Sequence, residues 1–352
     1  MSYHAPIPAS LKDDWGIVPL AQDFMPEEFR KNYTLSQKIM MALDAQPSLV
    51  TTPSAGIPFF AGIYVDPEVI RVLQTPNKGA DILGEKKLGD WLTQTAQFQI
   101  IENTGRVVGY GDFNDDGNTN VNTDFAFRQS FSYQTIIEYG DKATELAGLA
   151  KLNYVSEMKI SAAKVMDKFA DYSYHFGIAG EQNYGIINDP NLSPAITPST
   201  KAAGGTKWVN NGIVVASPNE ITVDVQAMVG TLLSQSPGYV NPAEEVVMVG
   251  PPIIALALGS TNSFGLTAQA MLDKVFKLTV ITDPRYATPA GNLIQLWAKS
   301  YDGHDVGFCG FGEKMREFPV VRELSASKQK VAGTTFGAII KYPLAAAQML
   351  GV

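Results

Sequence analysis

Residues 95–140 alternate apolar and polar side chains over a length that an ordinary strand does not need. In DFAFRQSFSYQTIIEYG (124–140), Phe125, Phe127, Phe131, Tyr133, Ile137 and Tyr139 fall on one face. Arg128, Ser130, Ser132, Gln134 and Glu138 fall on the other. That is the period of a half-buried strand, here about fifteen residues long where ~5–6 is usual. Just before it, QFQIIENTGRVVGYG (97–111) reads as a strand, a turn at residues 103–105 and a second strand. A ribbon that outruns its own core has to rest on something else, because two strands alone are marginal in water.

The link between these segments, GDFNDDGNTNVNTD (111–124), begins like a calcium loop. Asp112, Asn114, Asp116 and Gly117 satisfy D-x-[DN]-x-[DN]-G, the oxygens calcium prefers plus a glycine for the sharp turn. The twelfth position is Thr123 where a bidentate acid is needed, Asp124 comes one residue late, and the flanks are strand-like rather than helical. Asn, Asp and Gly are also what a tight exposed loop selects for its left-handed dihedrals. The expectation is a polar loop with no metal site, and a calcium-dependent binding module stands as the alternative from another functional class.

A chain of 352 residues with 45% hydrophobic content can bury a substantial core. Its 27 Lys and Arg against 35 Asp and Glu give a net charge of −8, unsuited to binding nucleic acid over the whole surface. The single cysteine, Cys309 in GFCGFG, rules out an intrachain disulfide and Cys-rich zinc sites, and reads as a buried small hydrophobe. No signal peptide is read at the N-terminus, and the longest apolar runs, such as PPIIALALG, are too short to span a bilayer.

Along the chain, the first ninety residues read as an arm, broken by PIPAS, TTPSAGIPFFAGIYVDP and QTPNKG. Helices are expected there over residues 26–46 and 66–74, the latter opened by Asp66 and Pro67. DKATELAGLA predicts another helix. SEMKISAAKVMDKFADYSYHFG predicts a long amphipathic one, with Met158, Ala162, Val165, Phe169, Tyr172 and Phe176 on one face. Lys159, Lys164, Asp167, Lys168 and Asp171 lie mostly away from that face, and Gly177 and Gly180 are placed to end the helix. Then come GIVVAS, a helix opened by Ser217 and Pro218, strand EEVVMVGPP, helix GLTAQAMLDKV, strands KLTVIT and NLIQLWAKSY, and a β-rich end from residue 317. This is an α+β chain with two connected lobes, not a regular βαβ series.

Little here points to catalysis. Of the three histidines, His4 is terminal, His175 sits in the last turn of the amphipathic helix where a cation suits the dipole, and His304 reads as a surface-loop residue between Asp302 and Asp305. No nucleophile elbow, Walker A loop, H-E-x-x-H helix or Rossmann fingerprint occurs. The carboxylate pairs Asp115–Asp116 and Glu244–Glu245 are adjacent solvated charges. No catalytic residue and no cofactor is expected.

Taken in order, the arm, the extended loop IIENTGRVVGYGDFNDDGNTNVNTDFAF, the long helix, GIAGEQNYGIINDPNLSPAI and the ending VAGTTFGAIIKYPLAAAQMLGV resemble the major capsid proteins of tailed phages, built on the Hong Kong 97-type fold. The resemblance covers roughly residues 94–352. It implies an N-terminal arm over 1–94, an extended β-hairpin loop over 95–135, a peripheral domain with a long spine helix over 136–216, an axial domain over 217–312, and C-terminal strands over 313–352 returning to the peripheral domain. It also implies a homo-oligomer of pentamers and hexamers in an icosahedral virion shell, made in the host cytoplasm. Such a shell encloses double-stranded DNA without sequence-specific binding, has no membrane partner, and has portal, decoration and scaffolding proteins as candidate partners. Encapsulin compartments share the fold and are the nearer alternative. Some relatives crosslink a loop lysine to a neighbour's asparagine. Residues 105–124 hold no lysine, so no such crosslink is expected.

Overall fold

The computed structural model describes residues 74–149, 153–240 and 245–352. The helix expected over 26–46, all but the last residue of that expected over 66–74, most of the arm, and Glu244 therefore lie outside the described residues. Strand β1 (Thr95–Arg106) and strand β2 (Asn118–Gln129) pair antiparallel as a two-stranded ribbon, joined to no other strand. The turn expected at 103–105 does not occur. Asn103 pairs with Val121 and Gly105 with Thr119, so β1 runs straight through and the chain reverses between 106 and 118. The ladder overrides local turn chemistry because its alternate pairs bond backbone groups of both strands along its whole length.

The long strand expected over 124–140 is two strands. β3 (Phe131–Gly140) follows β2 after a break at Ser130, whose N–H donates to Gln94 O at 2.8 Å and whose Oγ donates to Thr93 O at 2.8 Å. At this residue the chain stops pairing with β1 and starts pairing with a different strand. β3 keeps the expected alternation, with Tyr133 and Ile137 buried and Ser132, Gln134 and Glu138 exposed.

Helix α1 (Tyr154–Phe176) lies against β3, where the Phe169 ring meets Tyr133 at 4.6 Å and Phe131 at 5.9 Å. Ala162, Phe169 and Phe176 are buried as expected, whereas Val165 and Tyr172 are only half-buried. Lys168, Asp171 and His175 are buried too, against expectation. The helix is covered on a second side by residues 75–79 and by the 3-10 turn Pro284–Tyr286, which the helical period could not reveal.

Helix α2 (Pro218–Gln235) starts at the expected place, with a capping box in which Ser217 Oγ accepts from Glu220 N–H and Glu220 accepts from Ser217 N–H. Strand β4 (Glu245–Gly250) runs parallel to β5 (Lys277–Thr282), connected through the short helices Ile253–Leu258 and Ala268–Asp273. β6 (Gly291–Ala298) pairs antiparallel with β4. β7 (Gly307–Phe311) then joins β8 (Ala326–Ile340), the fifteen-residue strand whose other edge takes β3. Last, β9 (Ala346–Leu350) pairs with β6.

Sheet membership does not follow chain order. β7 already belongs to the sheet of β3 and β8, and β9 belongs to the sheet of β4, β5 and β6. The two sheets share one continuous apolar core containing Phe169, Trp208, Met228, Trp297 and Tyr286. Cys309 lies in it, fully buried as expected, and its burial pushes the thiol pKa up. His304 sits exposed in the two-residue strand His304–Asp305. Among the described residues no helix is long and apolar enough to cross a membrane.

Candidate assembly interface

The ribbon is the part of the molecule with the least core of its own. Twelve rungs at about 3.4 Å per residue make it roughly 40 Å long, and no residue of β1 or β2 is buried. Opposed residues share a face, so the register puts Phe127, Phe125, Ile101 and Val121 on one side, separated by Gln97, Gln99 and Asn103. These four apolar side chains are 44–59% exposed. The other side carries Ala96 and Phe98 near the root, packed on Phe308, Phe336 and Ile339. Four large apolar side chains on one solvent-facing side of a ribbon, interleaved with uncharged polar ones, mark a contact surface.

The tip is held by its own side chains. Tyr110 Oη donates to Asp112 at 2.9 Å, Asn114 Nδ2 donates to Gly109 O at 2.9 Å, and Asp116 N–H donates to Asn114 Oδ1 at 3.0 Å. Arg106 pairs with Asp116 across the ribbon at 3.6 Å. The three oxygen-bearing residues of the calcium pattern thus have partners within the hairpin. Among the described residues no cluster of three or more His, Cys, Asp or Glu side chains is placed to hold a metal ion. Val107, Tyr110 and Phe113 project from the tip almost wholly exposed. Val107 and Tyr110 fall in the stretch expected to be a second strand, and Phe113 in the loop expected to be polar; all three instead stand out from the ribbon's end.

The root is where the ribbon meets GIAGEQNYGIINDPNL. That segment folds back over the end of α1, and its amides cap the helix: Ile186 N–H donates to Tyr174 O at 2.8 Å and Ile187 N–H to His175 O at 3.0 Å. Gly177, at φ 62°, ends the helix, and a Cβ on Gly185 would sit 2.2 Å from His175 O, so only glycine allows this approach. Asn188 ties the fold-back together, accepting from Gly185 N–H and donating to Phe176 O. Gln182 and Asn183 then reach the root. Gln129 N–H donates to Gln182 O at 3.0 Å, Gln182 N–H donates to Gln129 Oε1 at 3.0 Å, and Asn183 Nδ2 donates to Gln129 O at 3.2 Å. Arg128 faces Asp189 at 3.4 Å and lies over the Tyr184 ring, 5.0 Å from its centroid.

Behind the root, a buried ionic network joins α1 to the other sheet's side of the molecule. His175 Nδ1 is 2.7 Å from Asp171 O, and its Nε2 is 2.7 Å from Asp283 Oδ2. Arg285 reaches Asp171 at 2.6 Å and stacks over Tyr172 at 4.8 Å. Asp171 also accepts from Gly79 N–H at 2.8 Å, and Lys168 bonds Thr75 O and Asn77. The network therefore fastens residues 75–79 to both lobes. The sequence places Lys168, Asp171 and His175 on α1 without their partners, and the partner of His175 lies 108 positions away.

A lobe built on a long helix against a sheet, a second α+β lobe, and a projecting ribbon define a capsid-shell subunit of the Hong Kong 97 type. Solved structures share this fold. The capsid of Myoviridae phage XM1 matches with a TM-score of 0.68 and 13% identity, over 84% of this chain and 99% of that one. The capsid of the native GTA particle matches at 0.58 and 11% identity, over 86% and 99%. Gordonia phage Cozz matches at 0.53 and 10% identity, over 88% and 99%. No curated protein matches the chain. The chain belongs to the family described as Pa193 gp26 major capsid protein, whose model matches residues 48–351. It is a bacteriophage major capsid protein, and its role is structural: copies assemble into the virion shell.

Proposed function

We propose that copies of this chain form pentamers and hexamers of an icosahedral head shell that encloses double-stranded DNA, with the ribbon of each copy lying on its neighbour. The observation that carries this reading is the ribbon itself: twelve rungs, no buried residue, and an apolar stripe of Phe127, Phe125, Ile101 and Val121. A neighbouring copy supplies the missing cover, and many modest contacts add up through effective concentration in a closed shell.

In this reading the long helix with residues 136–216 forms the peripheral region, and the loops of residues 217–312 meet at the symmetry axes. The part of the arm before residue 74 runs across an adjacent copy, while residues 75–87 stay on the body of their own chain. The net charge of −8 suits a wall that holds DNA without adhering to its sequence. Portal, decoration and scaffolding proteins are the partners such a shell calls for. Electron microscopy of the assembled protein tests the proposal, with closed shells of five- and six-fold units carrying DNA as the expected result. Discrete monomers under all conditions overturn it, and shells filled with a cargo enzyme assign the protein to a compartment instead.

A further inference from the structure

We infer that Arg128 and Asp189 form the pin that sets the direction and roll of the ribbon, and that orienting the ribbon is a second task of the GIINDPNL segment. The inference rests on the proposal that the ribbon bridges to a neighbouring copy. Backbone bonds at Gln129 and Ser130 fix where the ribbon leaves the body. They lie on the line about which it would swing, so they do not fix its angle. Ala96, Phe98 and Arg128 reach off that line, the first two onto the apolar cluster of Phe308, Phe336 and Ile339. Phe98 meets Phe308 with ring centroids 6.4 Å apart, an apolar contact that tolerates sliding. Arg128 is directional, since its guanidinium is wedged between the Asp189 carboxylate and the face of Tyr184.

The chemistry of this pair is unusual for a joint that only fills space. The Asp189 side chain is fully buried and that of Arg128 is 11% exposed. Asp189 Oδ1 accepts from Asn191 N–H at 2.9 Å, which fixes the carboxylate, while the other oxygen faces Arg128. A buried carboxylate without its cation is costly, so the ribbon keeps the roll that delivers Arg128 to it. Arg128 pairs with Ala96 in the ladder and shares its face with Phe98 and Ala126, the side turned to the body. Holding that side inward holds Phe125 and Phe127 outward, because neighbouring residues of a strand point to opposite faces. Asp189 sits at the end of the turn that caps α1, so the ribbon's aim is referred directly to the helix axis.

The test uses the full chain. Spin labels at Asp115→Cys on the tip and Lys164→Cys on α1 are diluted with unlabelled chain, and the distance distribution is measured in dissociated subunits. It is compared in the otherwise native chain and in Arg128→Gln/Asp189→Asn, a double variant that removes both charges and keeps hydrogen-bonding groups. The variant is expected to broaden the distribution markedly, leave the thermal midpoint of the subunit nearly unchanged, and lower particle yield about tenfold as tethered contacts lose effective concentration. A distribution as narrow as the native one overturns the pin, as does a loss of yield that only tracks a fall in thermal midpoint. Deleting residues 107–117 separates the two ideas: normal assembly of that deletion removes the bridging role, while the distance measurement judges the pin alone.

Discussion

His175 Nε2 lies 2.7 Å from Asp283 Oδ2, and neither side chain reaches solvent. The contact is off the line of a straight hydrogen bond, and it sets the imidazole directly against a carboxylate in a dry site. Burial pushes the Asp283 pKa up, but His175 and the Arg285 charge outweigh it and hold the carboxyl below its usual range. A depressed acid stabilises the folded state above its unfolded pKa, about 4, and that stabilisation is lost as pH falls through the lower folded value. Through this group, subunit stability in urea is expected to fall as pH drops below about 4. Asp283→Asn should lose part of that acid sensitivity, and His175→Ala should cost about 3 kcal/mol by opening a buried cavity and removing one partner of Asp283.

The capping box of α2 titrates in the same sense at an exposed place. Backbone N–H groups of Ser217 and Ala202 and the Ser217 hydroxyl pull the Glu220 pKa down to about 2. Its contribution is present above about pH 4 and disappears as pH approaches 2. Ser217→Ala should lower stability by about 1 kcal/mol, read from the urea midpoint at pH 7, and Glu220→Gln should make that midpoint less sensitive to acid.

Gly185 is a position where one methyl group changes the fold. The Cβ of Gly185→Ala would meet His175 O at 2.2 Å, a contact with backbone that cannot swing aside. The fold-back must lift off the helix end, releasing the amides of Ile186 and Ile187 from their carbonyls. A loss on the order of 3 kcal/mol is expected, measured as a lower urea midpoint. Amide exchange at 186–187 should rise more than in β8.

What the sequence disclosed follows from the range of the forces involved. The α1 stripe, the Ser217–Pro218 start and the strand KLTVIT are local patterns, set by the helical and strand periods, and they stand where expected. Residues 103–105 misled because their preference for a turn is local, whereas the ladder with 119–121 is not. Lys168, Asp171 and Asp189 could not be read as buried, since their cover comes from residues 61 to 114 positions away. The Hong Kong 97-type fold was readable from the order of segments, while the pairing of β9 with β6 depends on long-range topology that order alone leaves open.

The ribbon has no amine to give. No lysine occurs between residues 95 and 129, so its side chains cannot form an isopeptide bond to a neighbour's asparagine with loss of ammonia. Boiled particles should run on a denaturing gel at the mass of one chain. Covalent rings or ladders would show that a lysine elsewhere in the chain has taken over that chemistry.

Phe125 and Phe127 separate folding from assembly. Each is nearly half exposed on the side of the ribbon turned from the body, and neither belongs to the core. Replacing both with serine removes apolar surface that the isolated subunit does not bury, so the thermal midpoint should move little. In the shell the same rings would be covered by a neighbour, each contributing about 1.5–3 kcal/mol if fully buried. Particle formation by Phe125→Ser/Phe127→Ser is then expected to fail at concentrations where the native chain assembles, with sedimentation showing free subunits or capsomers. Tyr133→Ser should do the reverse: it lies in the core under Phe169, so its loss lowers the subunit's own stability before assembly is reached. If the two ribbon phenylalanines behave like Tyr133, the stripe belongs to folding and the bridging contact lies elsewhere on the ribbon.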